Sequence, residues 1–263
     1  MKHKHTKQPI FGALFGAALV AGSAQAALVV YNPGDLLVGF RDVTGTKSVV
    51  VNLGSAASFR DDSLGFAVGS PVTLSLGDIN TDLVATFGGS WASNSNMRWG
   101  IVGSPSNTAT VGGDIATTVY ASKAETTTGT VGTGFLLNNT NRGVASTTMM
   151  GLEGSTNGFN TYQASSNNTG LVIQNNADPA DWASFQPGGN NSTASTGFKV
   201  INGGIEGSLT QTLDLFRTSA ANSTSYVASF SLSGGSVSVI PEPSSLLVAG
   251  LGLGALAIRR RRI

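Results

Sequence analysis

The sequence predicts a mainly β protein, an antiparallel β-sandwich or jelly-roll-like body with one or two short helices, followed by a single C-terminal transmembrane helix. Three observations predict it. Apolar residues alternate with a period of two in several segments; Gly-rich turns separate them; and the last apolar run ends in an arginine cluster. Period two puts one set of side chains on a buried face and the other set on the opposite face. Many strands with few helices then favour a sandwich or barrel architecture.

The chain begins with Lys2, Lys4 and Lys7, an apolar stretch from Ile10 to Val20, and Ala24-Gln25-Ala26. A basic start, a short apolar segment and an A-x-A site form a secretory leader, with cleavage expected after Ala26. Ala24 and Ala26 are the small residues that signal peptidase reads. Residues 1–26 are therefore assigned as a signal peptide, 27–238 as a β-rich extracytoplasmic body and 239–263 as a tail.

Strands are expected first in DLLVGFR, where Leu36, Val38 and Phe40 alternate with Leu37, Gly39 and Arg41. SVVVNL follows, with Val49, Val51 and Leu53 on one face. In GDINTDLVATFG, Ile79, Leu83 and Phe87 recur every four residues, with Asp78 to cap the start and Gly88 to end a short helix. Asp78, Asn80 and Asp82 also begin like a calcium loop. Leu83 and Gly89 occupy the positions where such a loop needs Gly and Glu, so helix capping is the better reading. A second helix is expected near Val144 to Leu152. FKVINGGIEG suggests a hairpin turning at Asn202-Gly203. SYVASFSLSGGSVSV suggests another, turning at Gly234-Gly235.

Composition excludes several functions. The whole chain has 15 Lys and Arg against 14 Asp and Glu. Removing the three leader lysines, four tail arginines and Glu242 leaves eight basic and thirteen acidic residues over 27–240, a net charge of −5. An acidic body argues against nucleic acid as its partner. His3 and His5 are the only histidines and there is no cysteine. The body therefore has no Ser-His-Asp triad, no Cys-His nucleophile, no disulfide and no cysteine or histidine zinc site. No catalytic, cofactor-binding or metal residue is assigned, no cofactor is expected, and the chain is not expected to be an enzyme. Carboxylates such as Glu125, Glu153 and Glu206 keep a glycoside hydrolase as a remote alternative, since that chemistry needs only a placed pair. Trp91 and Trp182 lie near loops and offer candidate faces for stacking on sugar rings, whereas Trp99 reads as core.

The tail is the most specific part. Pro241, Glu242 and Pro243 stop any helix from extending upstream. Leu246 to Ile258 carries no charge and, as a helix, covers roughly 20 Å, a marginal span. Arg259, Arg260, Arg261 and Arg262 then hold the C-terminus in the cytoplasm by the positive-inside rule. The order of proline pair, short apolar helix and terminal arginines resembles the PEP-CTERM sorting signal of Gram-negative bacteria with exopolysaccharide systems. The resemblance implies an exosortase, a membrane protease/transpeptidase, as partner, besides the Sec translocon and signal peptidase that the leader requires. It implies a protein transiently anchored in the inner membrane, then moved to the cell surface or beyond. On this reading the chain is an exported surface or matrix protein, structural and linked to exopolysaccharide; a secreted carbohydrate-binding module is the alternative. DLLVGFR with SVVVNLG, MRWGIVGS, and LDLFRTS with SYVASFSLSGG also resemble a recurring group of PEP-CTERM surface proteins with no assigned activity.

Overall fold

The computed structural model describes residues 31–61, 72–76, 78–153, 171–176, 178, 181–187, 197–201 and 204–240. The expected leader with Ala24 and Ala26, and the tail from Pro241 through Arg262, lie outside the described residues. Among those described, no helix is long and apolar enough to cross a membrane.

Ten strands form one antiparallel sheet: β1 (Asp35–Asp42), β2 (Lys47–Ser55), β3 (Val72–Thr73), β4 (Met97–Gly103), β5 (Val119–Ala124), β6 (Leu171–Asn175), β7 (Glu206–Ser208), β8 (Leu213–Ala220), β9 (Ser223–Ser233) and β10 (Ser236–Ile240). The order is β3-β10-β9-β8-β5-β4-β1-β2-β6, with β7 paired to β4 off that path. The helices are α1 (Ala56–Arg60), α2 (Ile79–Phe87) and α3 (Asn139–Glu153).

The sheet is curled. In the strand order β9 and β2 are five positions apart, which at the usual spacing of about 4.8 Å is about 24 Å in a flat sheet. Yet the five-residue α1 packs on both, and Phe59 of α1 sets its ring 5.6 Å from that of Phe230 on β9. The sheet therefore wraps as a half-barrel around one apolar cluster. Leu36, Val38 and Phe40 of β1, Val49 and Val51 of β2, Trp99 and Ile101 of β4, and Phe230, Val237 and Val239 farther along all point into it. α1 and α2 close its open side.

The opposite face is covered too. Leu37, Val50, Val102, Val119 and Val172 meet Ala145, Met149 and Leu152 of α3, together with Trp182, Phe198 and Ile201. This corrects the expected sandwich. The strands are antiparallel and alternate as expected, but the second layer is a helix with irregular segments and not a second sheet. Leu37 and Val50 are as buried as their neighbours Val38 and Val49, so the central strands are buried on both faces and not on one.

The local expectations for α2 match its observed limits. Asp78 accepts a hydrogen bond from the Thr81 backbone N–H at 3.1 Å, which makes it the N-cap. Asn80 accepts from the Trp91 indole at 3.2 Å, so this cluster is occupied by capping and packing. The Gly234-Gly235 turn joins β9 to β10 with φ of 55° and 83°, values that L-residues rarely adopt. The hairpin expected in FKVINGGIEG is corrected in part. Gly197–Val200 is a 3₁₀ turn, and Glu206–Ser208 pairs with β4 instead of with its own upstream segment. Residues 202–203 lie outside the described set. At its other end β10 runs to Ile240, two residues past the boundary expected at 238, and Val239 is fully buried.

Candidate functional site

The site is built where the sheet divides. β4 pairs with β5 through Val102 and Gly103, and with β7 through Arg98, Trp99 and Gly100, along the same edge. At the fork the Ile101 N–H has no strand partner and donates to Ser122 Oγ at 2.7 Å; the Ser122 hydroxyl donates onward to the Ile205 carbonyl at 2.6 Å. One serine thus bridges the gap in the ladder and lets β7 swing aside.

The register then places two pairs opposite each other on the α3-covered face: Gly39 with Gly100, and Arg41 with Arg98. The glycines are required by close approach. A Cβ on Gly39 would lie 2.1 Å from the Trp182 ring, and one on Gly100 would lie 2.8 Å from the Ile205 carbonyl oxygen. Trp182 therefore lies directly on the sheet. Its backbone N–H donates to Gln174 Oε1 at 2.9 Å, and its indole Nε1–H donates to Glu206 Oε1 at 2.9 Å.

Glu206 is held on two sides. Arg41 donates to it from Nε and Nη2 at 2.8–3.0 Å, a bidentate pair between side chains only 13% and 9% exposed. Beside this pair opens a pocket of about 190 Å³, lined by Arg41, Arg98, Gln186, Ile205 and Glu206, with Val43 and Pro187 at its rim. Arg98 donates from Nη1 to the carbonyls of Ser95 and Met97, and has no carboxylate partner among the described residues. Gln186 is 1% exposed and its Nε2 has no hydrogen-bond acceptor. With two arginines against one glutamate, the lining carries a net positive charge on an acidic body.

The tryptophans singled out for sugar stacking are both interior. Trp91 is 2% exposed and Trp182 is fully buried, its ring 5.9 Å from that of Phe198. Neither presents a face to solvent, so stacking on a sugar is corrected for both; packing and hydrogen bonding account for them.

The acidic residues follow the same trend. Glu153 is buried against Tyr31, Asp35 and Ser104, and the loss of water, reinforced by the nearby Asp35 charge, pushes its carboxyl well above the usual range. Hydrogen bonds from Tyr31 and the Ser104 N–H pull the other way without prevailing. Asp181 is likewise raised by burial, against bonds from Ser184. Glu153 and Asp35 are 1% and 7% exposed, so this acidic pair is enclosed. Asp114, buried, ties Arg60 of α1 to Arg217 of β8 and accepts from the Tyr120 hydroxyl at 2.7 Å, which fastens α1 across the half-barrel. Among the described residues no cluster of three His, Cys, Asp or Glu side chains could hold a metal ion.

Residues 239–262 match the PEP-CTERM protein-sorting motif. Neither a curated protein nor a solved structure matches the chain. The motif begins within the last two residues of β10, so Pro241 follows directly on the folded sheet. Such a tail belongs to an exported, cell-surface protein that is membrane-anchored before processing, and it implies an exosortase as the processing partner. Residues 239–262 therefore identify this chain as one that carries a PEP-CTERM sorting signal.

Proposed function

We propose that the chain is a non-enzymatic surface or matrix protein of a Gram-negative bacterium, whose β body becomes part of the extracellular polysaccharide layer after an exosortase removes the tail. The observation that carries this reading is the sorting motif over residues 239–262, which begins in the last two residues of β10. Support for a non-catalytic role comes from a body without histidine or cysteine, in which Glu153, whose carboxyl burial holds above its usual range, is sealed from solvent.

The junction constrains the cut. Val239 is fully buried in the apolar cluster and pairs with Phe230 and Val72. Cleavage upstream of it would strip β10 from β3 and β9, so the processing site lies on the C-terminal side of Ile240. The test is intact mass of the protein recovered from the native host with and without its exosortase. The expected result is a chain starting at Ala27 and ending beyond Ile240 but before the arginines in the first host, and a retained tail in the second. A C-terminus at Ile263 in both hosts removes the proposal.

Carbohydrate binding is the second reading. What favours it is the donor-rich pocket beside Glu206 and not the tryptophans.

A further inference from the structure

We propose that the pocket between Arg98 and Gln186 binds the carboxylate of a hexuronate-sized sugar. The inference rests on, and sharpens, the polysaccharide reading above.

Three features carry it. The Gln186 side chain lines the pocket and its Nε2 is a buried donor with no acceptor, a group that is unfavourable to leave unmade. Arg98 is fixed by two backbone carbonyls through Nη1 alone, which orients its planar fork while leaving its charge without a carboxylate. Glu206, the one acid in the lining, has its oxygens taken by Arg41 and the Trp182 indole. The lining therefore presents donors, and the matching ligand presents acceptors with a negative charge.

Size and shape narrow the class. A pocket of about 190 Å³ holds far more than a single water and has room for one sugar ring. A peptide that bound by adding a strand would need a free edge, but the edge of β4 at Arg98 is already paired to Ser208 of β7. A hydroxylated ring bearing one carboxylate uses the arginine, the amide and the Ile205–Glu206 wall together.

The test is calorimetric titration of the full chain in non-ionic detergent with sodium glucuronate, glucose, sodium acetate, sodium sulfate and a hexaglutamate peptide. Glucuronate is expected to bind with a Kd on the order of 1 mM, as suits one small polar pocket, and more tightly than the other four. Arg98→Met and Gln186→Leu are each expected to weaken it about tenfold or more, while Lys123→Gln, outside the pocket, leaves it unchanged. Gln186→Leu removes an unpaired amide, so its melting temperature should hold or rise, which separates lost binding from lost folding. Equal binding of acetate or sulfate would show a simple anion site and overturn the sugar assignment. Equal binding of glucose would overturn the role of the carboxylate, and tighter hexaglutamate would make the site a peptide site. No glucuronate binding, or binding indifferent to both pocket variants, overturns the proposal outright. Tail processing is read separately by mass, so either idea can fail alone.

Discussion

The two faces of the sheet are built to different standards. On the enclosed face, Phe40 stacks on Trp99 with ring centroids 6.3 Å apart and planes 8° from parallel, and the Trp99 indole N–H reaches the Ser208 carbonyl at 3.0 Å. Most of the buried polar atoms without hydrogen-bond partners among the described residues lie on the α3-covered face: Ser48 Oγ, Gln174 Nε2, Gln186 Nε2, Arg142 Nε and Glu153 Oε2; on the other side Arg60 Nη1 of α1 and Thr86 Oγ1 of α2 are in the same position. Side-chain alternation puts Ser48 and Gln174 on the α3-covered face, because Val50 and Val172 lie there. A face filled with apolar groups supplies stability through burial. A face with unmade hydrogen bonds is costly to keep, and its open end is where the pocket lies.

The largest effect should therefore come from the enclosed face. Trp99→Ala is expected to lower unfolding free energy by about 3–5 kcal/mol, since it removes a fully buried indole and its stacking partner's contact. Urea denaturation with the same slope and a lower midpoint is the expected record. A loss below about 1 kcal/mol would break the contrast, because stability would then reside elsewhere.

Much of the enclosed face was legible in the sequence. The period-two runs at 36–41 and 48–53 became β1 and β2, Asp78 and Gly88 bracketed α2, and Gly234-Gly235 marked the last hairpin. Each is a local signal, carried by neighbours in the chain. The second face was legible only in part. Its helix was expected near Val144 to Leu152 and runs as α3 over Asn139–Glu153, but the rest of its cover, Trp182 and Phe198, is set among Gly-, Ser-, Thr- and Asn-rich stretches whose composition has no period. Nor could the pocket be read, since Arg41 and Glu206 are 165 residues apart and meet only through the β1–β4–β7 register. One trace was present. In both DLLVGFR and MRWGIVG an arginine sits two residues from a glycine, hence on its face, and pairing those strands puts both motifs side by side.

A middle-sized effect tests the polar face through pH. Glu153 keeps its proton in the folded state to a higher pH than in the unfolded chain, where about 4.3 is usual. Its contribution is thus fully present below that unfolded value. It is lost as pH rises toward the folded value, because only the unfolded state then releases a proton. One proton limits the slope to about 1.4 kcal/mol per pH unit. Glu153→Gln, which mimics the neutral acid, is expected to flatten the fall in stability above pH 5. An unchanged profile in chemical denaturation from pH 4 to 8 would show that Glu153 titrates as it does in water.

The smallest effect discriminates most finely, because it compares two buried serines. Ser122 is fully satisfied, accepting from Ile101 N–H and donating to the Ile205 carbonyl. Ser48 is equally buried with an unpartnered hydroxyl. Ser122→Ala strands both backbone groups at the fork and should cost about 1–3 kcal/mol. Ser48→Ala removes a polar group that bonds nothing, so stability should stay within about 0.5 kcal/mol or rise by up to about 1. The two substitutions delete the same atom from the same residue type at the same burial, so hydrophobicity and cavity size nearly cancel between them. A loss above about 1 kcal/mol in Ser48→Ala would mean that the hydroxyl has a partner in solution, and the α3-covered face would then be as well satisfied at that position as the enclosed one.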